Sequence, residues 1–217
     1  MILFTKKAWL IVLALISYLV AITLCLNKDS SALWFLNILS FKRMMYAILP
    51  AFIVVQSLIH KSVSTSCIIR CKGRKDAMKF QVTQQYLSAL IYLCIYFIFV
   101  VGVPLLKFGS IKGISLIKLI DCYFRDLFLF ILTINVSIII YKMNLKQISN
   151  NAYIAAYMVF LIDNIINSYI YRCIPIKMGL IFSWAFSENK FSCIFLMIFA
   201  CLSTFIVFNH SAKEDII

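Results

Sequence analysis

The chain has 217 residues, of which 64% are hydrophobic and only 13% charged, with a mean hydropathy of +0.98. Soluble domains carry about 25% charged residues, so the composition argues against a water-soluble globular protein and for an all-α polytopic membrane protein. The net charge of +13 does not argue for nucleic acid, because the cations sit mostly at the ends of apolar runs, where snorkelling and anionic lipid favour them.

Taken in order, Lys6 and Lys7 precede an apolar run over 8–26. A spanning helix needs about 20 residues, whereas the apolar core of a signal peptide has about 7–15. The bulky Leu24 before Cys25 speaks against a lipoprotein cleavage site, so an uncleaved first span is expected. Residues 27–43 follow, with Leu33, Trp34, Phe35 and Phe41. They read either as a segment lying in the outer interface or as a packed or re-entrant loop. The second span is expected over 44–60, kinked at Pro50, since proline removes a backbone donor and clashes with the preceding turn.

The densest basic stretch comes next. The link over 61–85 carries Lys61, Arg70, Lys72, Arg74, Lys75 and Lys79 against the single acid Asp76. Lys and Arg collect in loops that stay in the cytoplasm, so this link fixes the sidedness of the others. Gly73 is expected to break it into two short helical pieces.

The third span is read over 86–106, loosened at its far end by Gly102 and Pro104, and the fourth over 119–141. The fourth opens on Asp121, Arg125 and Asp126; Asp121 and Arg125 are four apart and can pair on one helix face. The fifth span, 152–171, holds Asp163, Asn164 and Asn167. An external segment with Pro175 and the apolar run GLIFSWAF leads to the sixth span over 191–208. Six spans place both termini on one side, and the basic link makes that side the cytoplasm. No internal repeat appears, so residues 1–217 are read as one membrane domain.

Catalytic signatures are scarce. There is no nucleotide-binding glycine loop and no HExxH pair. Most of the 8 cysteines lie in apolar runs, where a thiol behaves as a small hydrophobe, and their spacing is not that of a disulfide framework or zinc ribbon. Cys67 and Cys71 share a helix face but lack a fourth ligand for a metal. His60 and Cys67, seven apart, are the alternative catalytic pair, because an imidazole beside a thiol makes a competent nucleophile. The spacing resembles the His/Cys pair of the accessory-gene-regulator membrane peptidases. That resemblance implies a membrane cysteine endopeptidase that processes a signalling peptide. The residues before His60 are Ser57-Leu58-Ile59 rather than the family's small ones, and no lysine-proline motif follows.

Asp163 inside a span costs about 2.5–3.5 kcal/mol on insertion scales, so it needs a partner or water. With Asn164 and Asn167 it reads as the lining of a translocation path or dimer seam, or else as hydrogen bonding between helices.

The run Ile68-Ile69-Arg70-Cys71-Lys72-Gly73-Arg74-Lys75, the second link over 142–151 and the apolar segment over 175–186 resemble the membrane subunit of type 2 ABC exporters. The likeness is to the small Gram-positive kind associated with peptide-antibiotic export or immunity. It is architectural over the whole chain and motif-like over about a dozen residues. It implies a permease that moves an amphipathic peptide or lipid-like substrate. A separate ATPase chain would dock on Arg70, Lys72, Arg74, Lys75 and Lys79, and a second permease copy or a sister subunit would complete the path. The chain itself would be no enzyme and hold no cofactor; ATP and Mg belong to the ATPase. One departure is the amphipathic helix usual before the first span, in place of which only Met1–Lys7 stand. A non-transporting bacteriocin-immunity membrane protein is the third reading.

Overall fold

The computed structural model describes residues 6–24, 47–58, 74–108, 116–142, 152–173 and 190–213. Among them every element is a helix and none is a strand. In chain order these are α1 (Lys6–Leu24), α2 (residues 47–58), α3 (Arg74–Phe108), α4 (Leu116–Lys142), α5 (Ala152–Cys173) and α6 (Lys190–Lys213).

Two helical stretches are long and apolar enough to cross a membrane: Lys79–Lys107, with mean hydropathy 2.6, and Leu119–Tyr141, with 1.8. Shorter apolar helices cover Trp9–Tyr18, Leu49–Leu58, Ala152–Asp163 and Cys193–Asn209. Their outer faces present Leu10, Ile98, Ile117, Ile162, Leu202 and Phe205. Large apolar side chains exposed in such number are compatible with lipid, and a hydroxyl facing lipid would have to be satisfied within the chain. Ser17 Oγ accordingly donates to the Leu13 carbonyl at 2.9 Å and Thr83 Oγ1 to that of Lys79 at 2.9 Å, each one turn back on its own helix.

Residues 47–48 of α2 form a wider, π-type turn, and residues 49–58 continue as an α-helix. Pro50 lies just beyond, and a widened turn is one way to accommodate a residue with no backbone donor. Helix α3 differs from the sequence expectation at its start. Residues 74–85, read above as part of the link, form its first turns, so that α3 runs unbroken for 35 residues. The reason is local. Asp76 in the first turn favours the positive helix N-terminus, and neither glycine nor proline occurs between Arg74 and Val101. Helix geometry continues through Gly102 and Pro104 to Phe108. At 1.5 Å per residue α3 is about 52 Å long, well beyond the ~30 Å of a bilayer's hydrocarbon core.

The packing centre is α4. It contacts α3, α5 and α6, whereas α1 rests mainly on α3. Of its apolar window 56% is buried, against 29% for that of α3. Phe130 of α4 stacks on Phe52 of α2 with ring centroids 4.1 Å apart and planes at 9°, and Tyr92 of α3 tilts against both at 5.4 and 5.9 Å. All three rings are buried. Such aromatic pairs add about 0.5–1.5 kcal/mol beyond the area they cover.

Contacts along the bundle fix its directions. Ile48 meets Tyr92 while Gln56 meets Ser88 and Gln85, so α2 and α3 are antiparallel. Cys94 meets Tyr123 while Tyr86 meets Asn135, so α3 and α4 are antiparallel too. Asp121 and Arg125 lie near Cys193 while Asn135 meets Ser203 and Thr204, which makes α4 and α6 parallel. The ends at residues 58, 74, 142, 152 and 213 therefore gather at one end of the bundle.

Candidate functional site

Near that gathered end, side-chain hydrogen bonds join α2, α3, α4, α5 and α6. On one side of α3, Gln56 Nε2 donates to Ser88 Oγ at 2.8 Å, and the Ser88 hydroxyl donates to the Gln85 carbonyl at 2.8 Å. Gln85 Nε2 then donates to the Tyr153 hydroxyl at 2.7 Å, and Tyr153 reaches Ser137 of α4. Gln56, Gln85, Ser88 and Ser137 are all buried. On the adjacent side, the Tyr86 hydroxyl donates to Asn135 Oδ1 and lies 3.3 Å from Thr204 Oγ1. Asn135 Nδ2 donates to Ser203 Oγ at 2.8 Å and Thr204 Oγ1 at 3.0 Å, with the Ala200 carbonyl at 3.5 Å.

The local sequence explains who takes part. Gln85 and Tyr86 are consecutive, so the ~100° step of a helix sends their side chains to different neighbours. Ser203 and Thr204 are also consecutive, and both hydroxyls donate back to the Ala200 carbonyl, at 2.9 and 2.7 Å. They thereby keep their lone pairs for Asn135. A buried amide stripped of its partners costs about 1–3 kcal/mol, whereas interhelical hydrogen bonds in membranes average about 0.6 kcal/mol each. The layer thus fixes register between helices more than it adds stability.

A second polar set lies toward the other end of α4. Arg125 Nη2 contacts Asp121 Oδ2 at 2.5 Å, the pairing expected from their spacing. Arg125 and Asp126 are buried, while Asp121 keeps some exposure. Among the described residues no hydrogen-bond partner faces Asp126 Oδ2. From Asp121 to Asn135 the rise along α4 is about 21 Å, so the two polar sets are well separated.

The residues singled out from the sequence fall elsewhere. His60, Cys67, Arg70 and Lys72 lie outside the described residues. Arg74 and Lys75 open α3, with their side chains outside the description, and Lys79 is exposed one turn further on. Asp163 is half-buried in α5 and engaged in a polar interaction. Asn164 and Asn167 belong to α5, their side chains again outside the description. Asp163 follows Tyr153 by about 15 Å along the helix, so it does not join the polar layer. Sequence reading did not single out Gln56, Ser88 and Asn135, although each is a polar residue inside an apolar run such as AFIVVQSLI or FILTINVSIII, and it took Gln85 only as the last residue of the basic link.

No protein-family model, curated protein or solved structure matches the chain. Function is therefore argued from the geometry. Among the described residues no three His, Cys, Asp or Glu side chains converge as metal ligands. The layer contains amides and hydroxyls only. Such groups, bonded to one another across helix boundaries, position the helices.

Proposed function

We propose that the chain is a multi-pass protein of a bacterial plasma membrane, with six spans and both termini cytoplasmic. We further propose that it serves as the permease subunit of an ATP-driven exporter. The observation that carries this reading is α3, a single 35-residue helix that begins in the cationic stretch and ends in the apolar bundle. About 20 Å of it exceeds the hydrocarbon thickness, and the polar layer clamps it to four other helices. A push on its cationic start is carried to α2, α4, α5 and α6 together rather than absorbed by a loop.

The cations at that start suit an acidic docking surface, because complementary charge steers association. A separate ATPase chain is the partner with work to deliver. Its docking residues are Arg70, Lys72, Arg74, Lys75 and Lys79. A second permease copy or a sister subunit completes the path, with Asp163, Asn164 and Asn167 of α5 lining it or the seam between subunits. The cargo is an amphipathic peptide or lipid-like molecule.

The test is charge reversal in R70E/R74E/K75E. The triple variant is expected to insert in the membrane normally, yet to lose co-purification with the ATPase and ATP-dependent export. Survival of co-purification removes the docking assignment.

A further inference from the structure

Asp126 is 5% exposed, and among the described residues no hydrogen-bond partner faces its Oδ2. The buried Arg125 beside it is paired with Asp121, Nη2 to Oδ2 at 2.5 Å. Asp121 and Arg125 are neutral as a unit, so the charge of Asp126 is left over.

The facing helix brings a further carboxylate. Asp126 precedes Ser137 by 11 residues, about three full turns, so the two share a face of α4. That face meets α5, because Tyr153 reaches Ser137. Phe160 lies about 10 Å beyond Tyr153 and would overrun the end of α4 at Lys142 if the two helices were parallel. It is buried instead, so α5 runs back along α4. Asp163, about 15 Å from Tyr153, then comes level with Asp126, about 17 Å from Ser137. It follows the buried Ala156 by seven residues and Phe160 by three, which puts it on the inward side of α5, half-buried.

Three acids and one base at this level leave two negative charges within segments read as spans. A carboxylate there calls for a counter-charge, water or a proton. Asp163 keeps some exposure and a polar interaction of its own, whereas Asp126 is closed off. A metal ion suits the place poorly. Hard cations take about six or more oxygen ligands, no three His, Cys, Asp or Glu side chains converge among the described residues, and the charge acting on Asp126 is the cationic Arg125. A proton needs one oxygen. The other titratable groups near this level are thiols and phenols, Tyr92 and Cys94 on α3, Tyr123 on α4 and Cys193 on α6. Groups of these types carry little charge near neutral pH, so none supplies the missing cation.

We propose that Asp126 is a proton-binding site, and that Asp163 on the facing helix sets how firmly the proton is held. The proton is exchanged with water; the O–H bond on the Asp126 carboxyl forms on uptake and breaks on release. Release leaves two like charges between α4 and α5, so proton occupancy and the closeness of these helices are linked. The assignment is independent of the ATPase, the cargo and the docking residues.

The test is infrared difference spectroscopy of the full chain in nanodiscs during stepwise pH changes. The unmodified protein is expected to show the carbonyl band of a protonated carboxylic acid, shifted by exchange into heavy water, and D126N to lose it. In D163N the band is expected to remain and to disappear at a pH about one unit lower, because one neighbouring negative charge is gone. Absence of such a band, or its persistence in D126N, overturns the proposal. Displacement of the band by sodium or calcium ions at constant pH also overturns it, and assigns the site to a metal cation. An unmoved midpoint in D163N removes Asp163 from the site. Asparagine reproduces the shape of the neutral acid, so failure of D126N to insert and fold would show that the charge is required and would defeat the assignment.

Discussion

Gln85 and Tyr153 are separated by 68 residues of sequence, yet Gln85 Nε2 donates to the Tyr153 hydroxyl at 2.7 Å within the buried layer. This bond ties α3 to the first turn of α5. Y153F removes the acceptor while keeping the ring, and is expected to cost about 1 kcal/mol. Thermal unfolding in detergent measures it. In the double-mutant cycle with Q85L the second change is expected to cost less than it does alone, because the shared bond is already gone. Strict additivity would show that the two side chains are not coupled.

Asn135 is the most connected polar residue of the layer, meeting Tyr86, Ser203 and Thr204. N135L keeps the number of side-chain heavy atoms and removes those bonds. At about 0.6 kcal/mol per interhelical bond and up to about 1.7, the expected loss is roughly 2 kcal/mol. It should appear as a lower unfolding temperature and as greater cysteine labelling at Cys201 on α6. An unchanged midpoint would mean that the bonds are recovered with other groups.

Phe130 joins the aromatic contact of α2, α3 and α4. F130A leaves a cavity that its neighbours fill only in part. In water-soluble cores this costs about 3–5 kcal/mol; among lipid-bathed helices the transfer contribution shrinks and the packing loss stays, so roughly 2–3 kcal/mol is expected. Denaturation in mixed micelles tests the value. F130L should recover about half of the loss.

Stiffness of α3 is open to a separate test. M78G/F80G places two glycines in the first turns of α3, each disfavoured in a helix by about 1 kcal/mol relative to alanine. On the exporter reading proposed above, ATPase binding is expected to persist while export per ATP hydrolysed falls severalfold. Loss of binding together with export would instead mean that these residues form part of the docking surface.

The all-helical class was legible because apolar runs near 20 residues allow little else. Five of the six helices begin or end within a few residues of the apolar runs, but α3 starts earlier than its run. Hydropathy marks where a helix enters lipid, whereas propensity decides where it begins, and Asp76-Ala77-Met78-Lys79 are compatible with helix outside lipid. The polar layer was hidden for a different reason. A single Gln or Asn in an apolar run looks tolerated, and its partner lies dozens of residues away, as with Gln56 and Ser88 or Asn135 and Thr204. Charged Asp163 draws the eye first, although its place on α5 keeps it from the layer. The pairing of Asp121 with Arg125 was readable because it is local, one turn apart on one helix.

The Ala200 carbonyl collects the hydroxyls of Ser203 and Thr204 on its own helix. That habit makes α6 self-sufficient: were it to swing away from α4, neither hydroxyl would be stranded in hydrocarbon, and the penalty would fall on Asn135 and Tyr86. Loosening of that contact would therefore be felt on α4 and α3, at Asn135 and Tyr86, and not on α6.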